Sequence, residues 1–194
     1  MLEITDIIGI IAFGISGFIV GVKNRLDLLG IIISAYLTAL GGGIIRDMIA
    51  NRPIYAFTNL LPGVLVLLVV LIGIYFKLHR FDFEKNRLFL LSDSIGLVSF
   101  AISGAIVGEM SGFNIFGVAS LALITAVGGG MFRDMLINRI PFILKEKFYG
   151  SIAILTGLFV YFLPNDFLYI FVIFLTGVAL RIIAHLRNWQ LPRI

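Results

Sequence analysis

The sequence predicts an all-α integral membrane protein of seven transmembrane helices, built as two inverted three-helix repeats plus a seventh helix. Three observations carry this. The chain is 60% hydrophobic and only 13% charged, with a mean hydropathy of +1.08, whereas soluble domains are about 45–50% apolar and about 25% charged. Most apolar runs between charged clusters reach the roughly 17–25 residues that a helix needs to cross the hydrocarbon core. A long stretch also repeats itself at an offset of 87 residues, an interval that covers three such runs. A chain of 194 residues cannot bury this much apolar surface in a soluble fold, so its solvent is lipid.

The first span is residues 4–22. It follows Met1-Leu2-Glu3-Ile4-Thr5-Asp6, an acidic start where a signal peptide would be basic, so the run is expected to be retained. The second and third spans are residues 27–50 and 59–78. A charged connector follows at 79–87, in which Asp82 and Glu84 are flanked by Arg80, Lys85 and Arg87, the pattern of a solvated interfacial loop. The fourth span is 88–108 and the fifth 114–137. The sixth, 148–163, is short and is preceded by Lys145-Glu146-Lys147; Pro164-Asn165-Asp166 then makes a tight turn. The seventh, 167–184, is rich in Phe and Leu with few small residues, and reads as facing lipid or another subunit. The organisation is therefore a first repeat at 1–78, a connector at 79–87, a second repeat at 88–163, and the seventh helix with its tail at 164–194.

Loop charges orient the chain. One basic loop residue, Arg52, lies on the side of the N-terminus; eleven lie opposite, among them Lys23, Arg25, Arg87, Arg139 and Arg187. The positive-inside rule then places the N-terminus outside and the C-terminus in the cytoplasm, in a multi-pass protein of the cell membrane. The net charge of +4 resides in these short loops and not on one face, so nucleic acid is not an expected partner; membrane lipid is.

Residues 6–52 align without a gap with 93–139, and about 22 of the 47 positions are identical. Three spans is an odd number, so the second copy enters from the opposite side. That is the signature of inverted repeats about an axis in the membrane plane, which in transporters flank a path with broken helices near its middle.

The repeat also selects the residues with chemistry to offer. Gly41-Gly42-Gly43 and Gly128-Gly129-Gly130 interrupt their spans, each followed two residues on by an Arg-Asp pair. Three consecutive glycines favour a kink or local unwinding, with close helix packing as the alternative. Packing suits the G-x-x-x-G stretches Gly17–Gly21 and Gly104–Gly108 better. Adjacent helical residues do not face one another, so Arg46 and Asp47 are expected to find partners on other helices. Depth counting groups Asp6 with Arg46 and Asp47 at one end, and Asp93 with Arg133 and Asp134 at the other. Pairing Arg46 with Asp134 would need to span roughly 20 Å or more and is rejected. These clusters either line two vestibules or hold the bundle together as salt bridges. Between them, Ser16, Thr38, Ser103 and Thr125 fall near mid-depth, available as oxygen ligands to an ion or bonded back to their own helices.

Other classes are excluded. The chain has no cysteine, so disulfides and thiol chemistry are absent, and His79 and His185 read as interfacial and not as metal ligands. There is no Ser-His-Asp set, H-E-x-x-H, P-loop or nucleotide fingerprint, so neither an enzyme, a cofactor nor a metal site is expected.

Two copies of G-G-G-x-x-R-D on the second and fifth of seven spans resemble the prokaryotic branch of the trimeric intracellular cation (TRIC) channel family. The resemblance covers nearly the whole chain. It implies a homotrimer with one hourglass pore per subunit, passing potassium and other monovalent cations such as sodium. The pore would be built from the first, second, fourth and fifth spans, with kinks at Gly41–Gly43 and Gly128–Gly130, and with Arg46, Asp47, Arg133 and Asp134 nearby. Animal members carry a phosphoinositide-binding lysine where this chain has Arg133. Other prokaryotic relatives with the motif look like secondary transporters of small solutes such as glycine, which is the alternative mode.

Overall fold

The computed structural model describes residues 1–76, 85–145, 148–187 and 189, and every regular element among them is helical. In chain order these are α1 (Leu2–Lys23), α2 (Leu28–Ile49), α3 (Tyr55–Thr58), α4 (Leu60–Tyr75), α5 (Lys85–Met110), α6 (Ile115–Leu136), α7 (Phe142–Lys145), α8 (Tyr149–Phe162) and α9 (Phe167–Leu186). Five of them, α1, α2, α5, α6 and α9, are long and apolar enough to cross a membrane. The remaining two apolar helices, α4 and α8, have 16 and 14 residues, or about 24 and 21 Å of rise, somewhat short of a hydrocarbon core of about 30 Å. Residues 79–84 of the expected connector lie outside the described residues, and α5 takes up the rest of it.

The helix ends show how local sequence repeats itself in three dimensions. Asp27 precedes α2 and accepts a hydrogen bond from the Gly30 N–H at 2.7 Å; Asn114 precedes α6 and accepts from Gly117 N–H at 2.9 Å. Each side chain satisfies one of the amide donors that the first helical turn leaves open. Beyond the far ends, Asn51 and Asn138 both adopt φ 51°, a left-handed turn that asparagine tolerates better than most residues. The short helices α3 and α7 follow, unforeseen in the sequence, and they too lie 87 positions apart, 55–58 and 142–145.

Packing follows the same correspondence. Helices α1, α2, α5 and α6 form the central group, with α1 on α5 and α2 on α6. Against it, α4 packs on α1 and α2, and α8 on α5 and α6. Outside this arrangement, α9 lies on α5 and α8. Its buried face is Ile170, Ile173, Gly177, Arg181 and Ala184, so one side is a packing surface where the sequence suggested only a lipid-facing or subunit-facing helix.

The glycine triplets lie within α2 and α6. Helical structure runs through both without a break, so there is no local unwinding. What they provide is a close crossing of α2 over α6. A Cβ on Gly42 would overlap the Thr125 carbonyl oxygen, and one on Gly129 the Thr38 carbonyl oxygen. Gly17 and Gly104 do the same for the α1–α2 and α5–α6 contacts, where a Cβ would stand 2.6 Å from the Ser34 carbonyl oxygen and 2.7 Å from that of Leu121.

Backbone atoms cannot step aside as side chains do, so the crossing has a testable sign. Gly42→Ala and Gly129→Ala are each expected to destabilise the protein by about 1–3 kcal/mol or more, the cost of overpacking. Gly63→Ala on α4, where a Cβ meets nothing within 4 Å, should be neutral or stabilising, because alanine is the better helix former by about 1 kcal/mol. Thermal unfolding of the three variants in detergent reads the difference.

Candidate functional site

Two buried ion-pair networks stand out in the apolar bundle. In the first, Arg46 on α2 carries Nη1 to Asp6 Oδ1 on α1 at 2.6 Å and donates from Nε to Asp47 Oδ1 at 2.9 Å. Ser103 on α5 accepts a further hydrogen bond from Arg46 Nη1 and donates its own proton to Asp6 Oδ1 at 2.6 Å. The second carboxylate oxygen of Asp47 accepts the Tyr55 backbone N–H at 2.9 Å, tying α3 to the cluster. Burial, and then the negative charges of Glu3 and Asp6, raise the Tyr55 phenol above its ordinary range. A small cleft opens beside this group, lined by Asp6, Gly43, Arg46, Asp47, Tyr55 and Pro62 among others.

The second network repeats the first with the halves exchanged. Arg133 on α6 reaches Asp93 Oδ1 on α5 at 2.7 Å and Asp134 Oδ1 at 2.9 Å. Its Nη1 also donates to Ser16 Oγ on α1 at 2.6 Å. The Phe89 ring centroid lies 4.9 Å from its guanidinium carbon, close enough for a cation–π contact. Arg133 has no exposed surface at all. A cation at that depth persists only where partners meet its charge, and here they come from three helices.

Asp6 with Arg46 and Asp47, and Asp93 with Arg133 and Asp134, are therefore brought together as expected, in two separate groups. Two expectations fail. Arg46 and Asp47 do contact each other, as do Arg133 and Asp134. The rule that adjacent helical residues point apart concerns their Cβ directions, and the long arginine side chain curls back past it. Ser16 and Ser103 are also not at a waist: each belongs to the network anchored by the other repeat's arginine. Thr38 and Thr125 donate to the Ser34 and Leu121 carbonyls of their own helices, at 2.5 and 2.6 Å. Their protons are engaged, which leaves only lone pairs for a ligand.

Two features escaped the sequence reading. Arg181 lies inside the predicted seventh span and is buried, its guanidinium carbon 4.9 Å from the centre of the buried Tyr149 ring on α8. A charged residue within a span was itself the signal. Phe13 and Phe100 are the other: they match across the repeat, and their ring centroids are 5.4 Å apart. Among the described residues, no three of His, Asp and Glu gather as a metal site.

Comparison with known proteins fits this geometry. The chain is 37% identical to the UPF0126 membrane protein YvgT of Bacillus subtilis (strain 168), over 98% of its own length and 95% of that protein's. Among solved structures it superimposes on a prokaryotic TRIC channel crystallised in 0.5 M KCl, with TM-score 0.88, 33% identity and 98% of both chains covered. The chain belongs to the prokaryotic TRIC family. A second structure, the TRIC trimeric intracellular cation channel orthologue from Rhodobacter sphaeroides, gives TM-score 0.88 at 25% identity, over 97% of this chain and 98% of that one. The family model that matches residues 3–80 and again 90–165 of this TRIC relative is described as "Glycine transporter". Its relatives thus include proteins described as cation channels and a family described as glycine transporters.

The networks make a quantitative claim about stability. Asp6→Asn or Arg46→Gln alone should cost about 3–5 kcal/mol, because each strands a buried partner. The double variant should lose less than the sum, with a coupling of about 0.5–3 kcal/mol. Thermal unfolding of the four proteins closes the cycle, and strictly additive losses would remove the pair from the network.

Proposed function

We propose that the protein is a monovalent cation channel of the cell membrane, selective for potassium, with one hourglass pore in each subunit of a homotrimer. The observation that carries this is the duplicated network, one arginine and two aspartates at each end of the α1, α2, α5 and α6 group, in a chain so like solved TRIC cation channels. In this reading the pore runs along those four helices. Each network then forms the charged floor of a vestibule, and its carboxylates set a negative local field for an arriving cation. Both networks are buried and internally bonded here, so conduction requires them to part.

The architecture that suits this reading is seven spans: α1, α2 and α4 as the first repeat, α5, α6 and α8 as its inverted copy, and α9 as the seventh. The element positions 87 residues apart support it, as does a family model that matches twice with starts at residues 3 and 90. The repeats take residues 1–78 and 88–163, joined by the connector 79–87 and followed by 164–194. The excess of basic loop residues on one side orients the chain with its N-terminus outside and its C-terminus in the cytoplasm. Gly41–Gly43 and Gly128–Gly130 would be the points about which α2 and α6 slide as the pore opens, since a side-chain-free crossing permits small shifts of one backbone along another.

Single-channel recording of purified protein in planar bilayers tests the proposal. Discrete unitary steps are expected, with a reversal potential that follows the potassium gradient and favours it over sodium. Silence in the bilayer together with saturable uptake of labelled glycine into proteoliposomes would overturn it in favour of a secondary transporter.

A further inference from the structure

The stretch of α1 and α5 between the two networks is largely apolar. On α1, Asp6 belongs to the first network and Ser16 to the second; on α5 the same holds for Ser103 and Asp93. Ten residues separate the members of each pair, or about 15 Å along the helix. Residues 7–15 of α1 are all apolar or glycine, and on α5 only Ser94 and Ser99 interrupt the equivalent run.

Phe13 and Phe100 occupy this stretch at equivalent positions, with 0% and 2% of their surface exposed. Their rings tilt at 45° to one another with centroids 5.4 Å apart. Each is seated on a glycine of the opposite helix. The Phe100 ring lies over Gly9 of α1, where an added Cβ would stand 3.1 Å from it, and the Phe13 ring lies over Gly96 of α5, where a Cβ would collide with the ring outright. Gly9 and Gly96 are themselves 87 residues apart. Phe13 also reaches the α2–α6 crossing, with Cδ2 3.2 Å from where a Gly129 Cβ would lie. One residue type, duplicated with the notch that receives it, thus links all four central helices at their middle.

We infer that Phe13 and Phe100 form the hydrophobic gate of the pathway, and that Gly9 and Gly96 are the notches that hold the two rings closed. The inference rests on the channel reading above. An apolar constriction excludes ions by excluding their water, and here nothing polar on the α1 side offers a substitute for hydration. Opening lifts the rings out of their notches and admits water between the networks. The aromatic contact itself biases this equilibrium, since a favourable ring pair corresponds to about two- to tenfold in favour of the closed state.

The test is open probability in planar bilayers, measured beside thermal stability. The Phe13→Ala/Phe100→Ala double variant should open at least about two- to tenfold more often than the parent protein under the same conditions. Phe13→Leu/Phe100→Leu, which keeps apolar bulk at the constriction, should remain nearer the parent. Gly96→Ala keeps both rings but denies Phe13 its seat, so it should raise open probability in the same direction; it serves as the second reading should the alanine double variant fail to fold. A parent channel that conducts while folded ring or notch variants keep its open probability overturns the gate and leaves the channel reading intact. Absence of current from the parent and every folded variant overturns the channel reading, and the gate with it.

Discussion

A buried guanidinium needs several fixed acceptors at once, and that requirement organises this molecule. Arg46 uses Nη1 and Nε on Asp6, Asp47 and Ser103, which belong to α1, α2 and α5. Arg133 takes its partners from α5, α6 and α1 in the same way. In hydrocarbon the two charges would be very unfavourable if their partners drifted away. The networks therefore specify the relative depth of three helices each, where apolar packing alone, with lipid as apolar as the core, discriminates little between depths.

Specifying depth is not enough, because two helices must also come close enough for the arginines to reach inward. The glycine triplets meet that need. At Gly42 and Gly129 the backbones of α2 and α6 touch through the Thr125 and Thr38 carbonyls. Those are the threonines whose hydroxyls bond back to their own helices. Each triplet then stands one turn before its arginine, so close crossing and ion pairing are adjacent parts of the same helix. The motif is best understood as a crossing followed by an anchor.

Much of this was legible in the sequence, and the failures are informative. The grouping of Asp6 with Arg46, and of Asp93 with Arg133, followed from counting 1.5 Å per residue from each span's end. Counting Cα positions could not reveal that an arginine side chain turns back on its neighbour, which is why the Arg46–Asp47 contact was missed. It also placed Ser16 and Ser103 at a waist, because a side chain as long as arginine moves its cluster inward by several ångströms relative to its own Cα. Attention to polar matches across the repeat passed over Phe13 and Phe100, although that pair is as well matched as any charge. Arg181 was passed over because α9 lies outside the repeat and offered no partner to compare.

Arg181 also marks where the two halves stop being alike. Tyr149 is the repeat equivalent of Pro62, and Gly130 of Gly43. At the first network Pro62 and Gly43 both line the open cleft. At the second, Tyr149 fills that place: its hydroxyl lies 3.4 Å from where a Gly130 Cβ would be, and the Arg181 guanidinium covers its ring. Arg181 also brings one positive charge toward the second group, where Asp93 and Asp134 already face Arg133, while Asp6 and Asp47 face Arg46 with no counterpart on α9. The helix that the duplication does not explain thus backs the tyrosine that fills the second network's flank, while the first, though itself buried, keeps a cleft at its edge. A duplicated frame need not give two equivalent ends, and in this chain a single added helix helps to distinguish them.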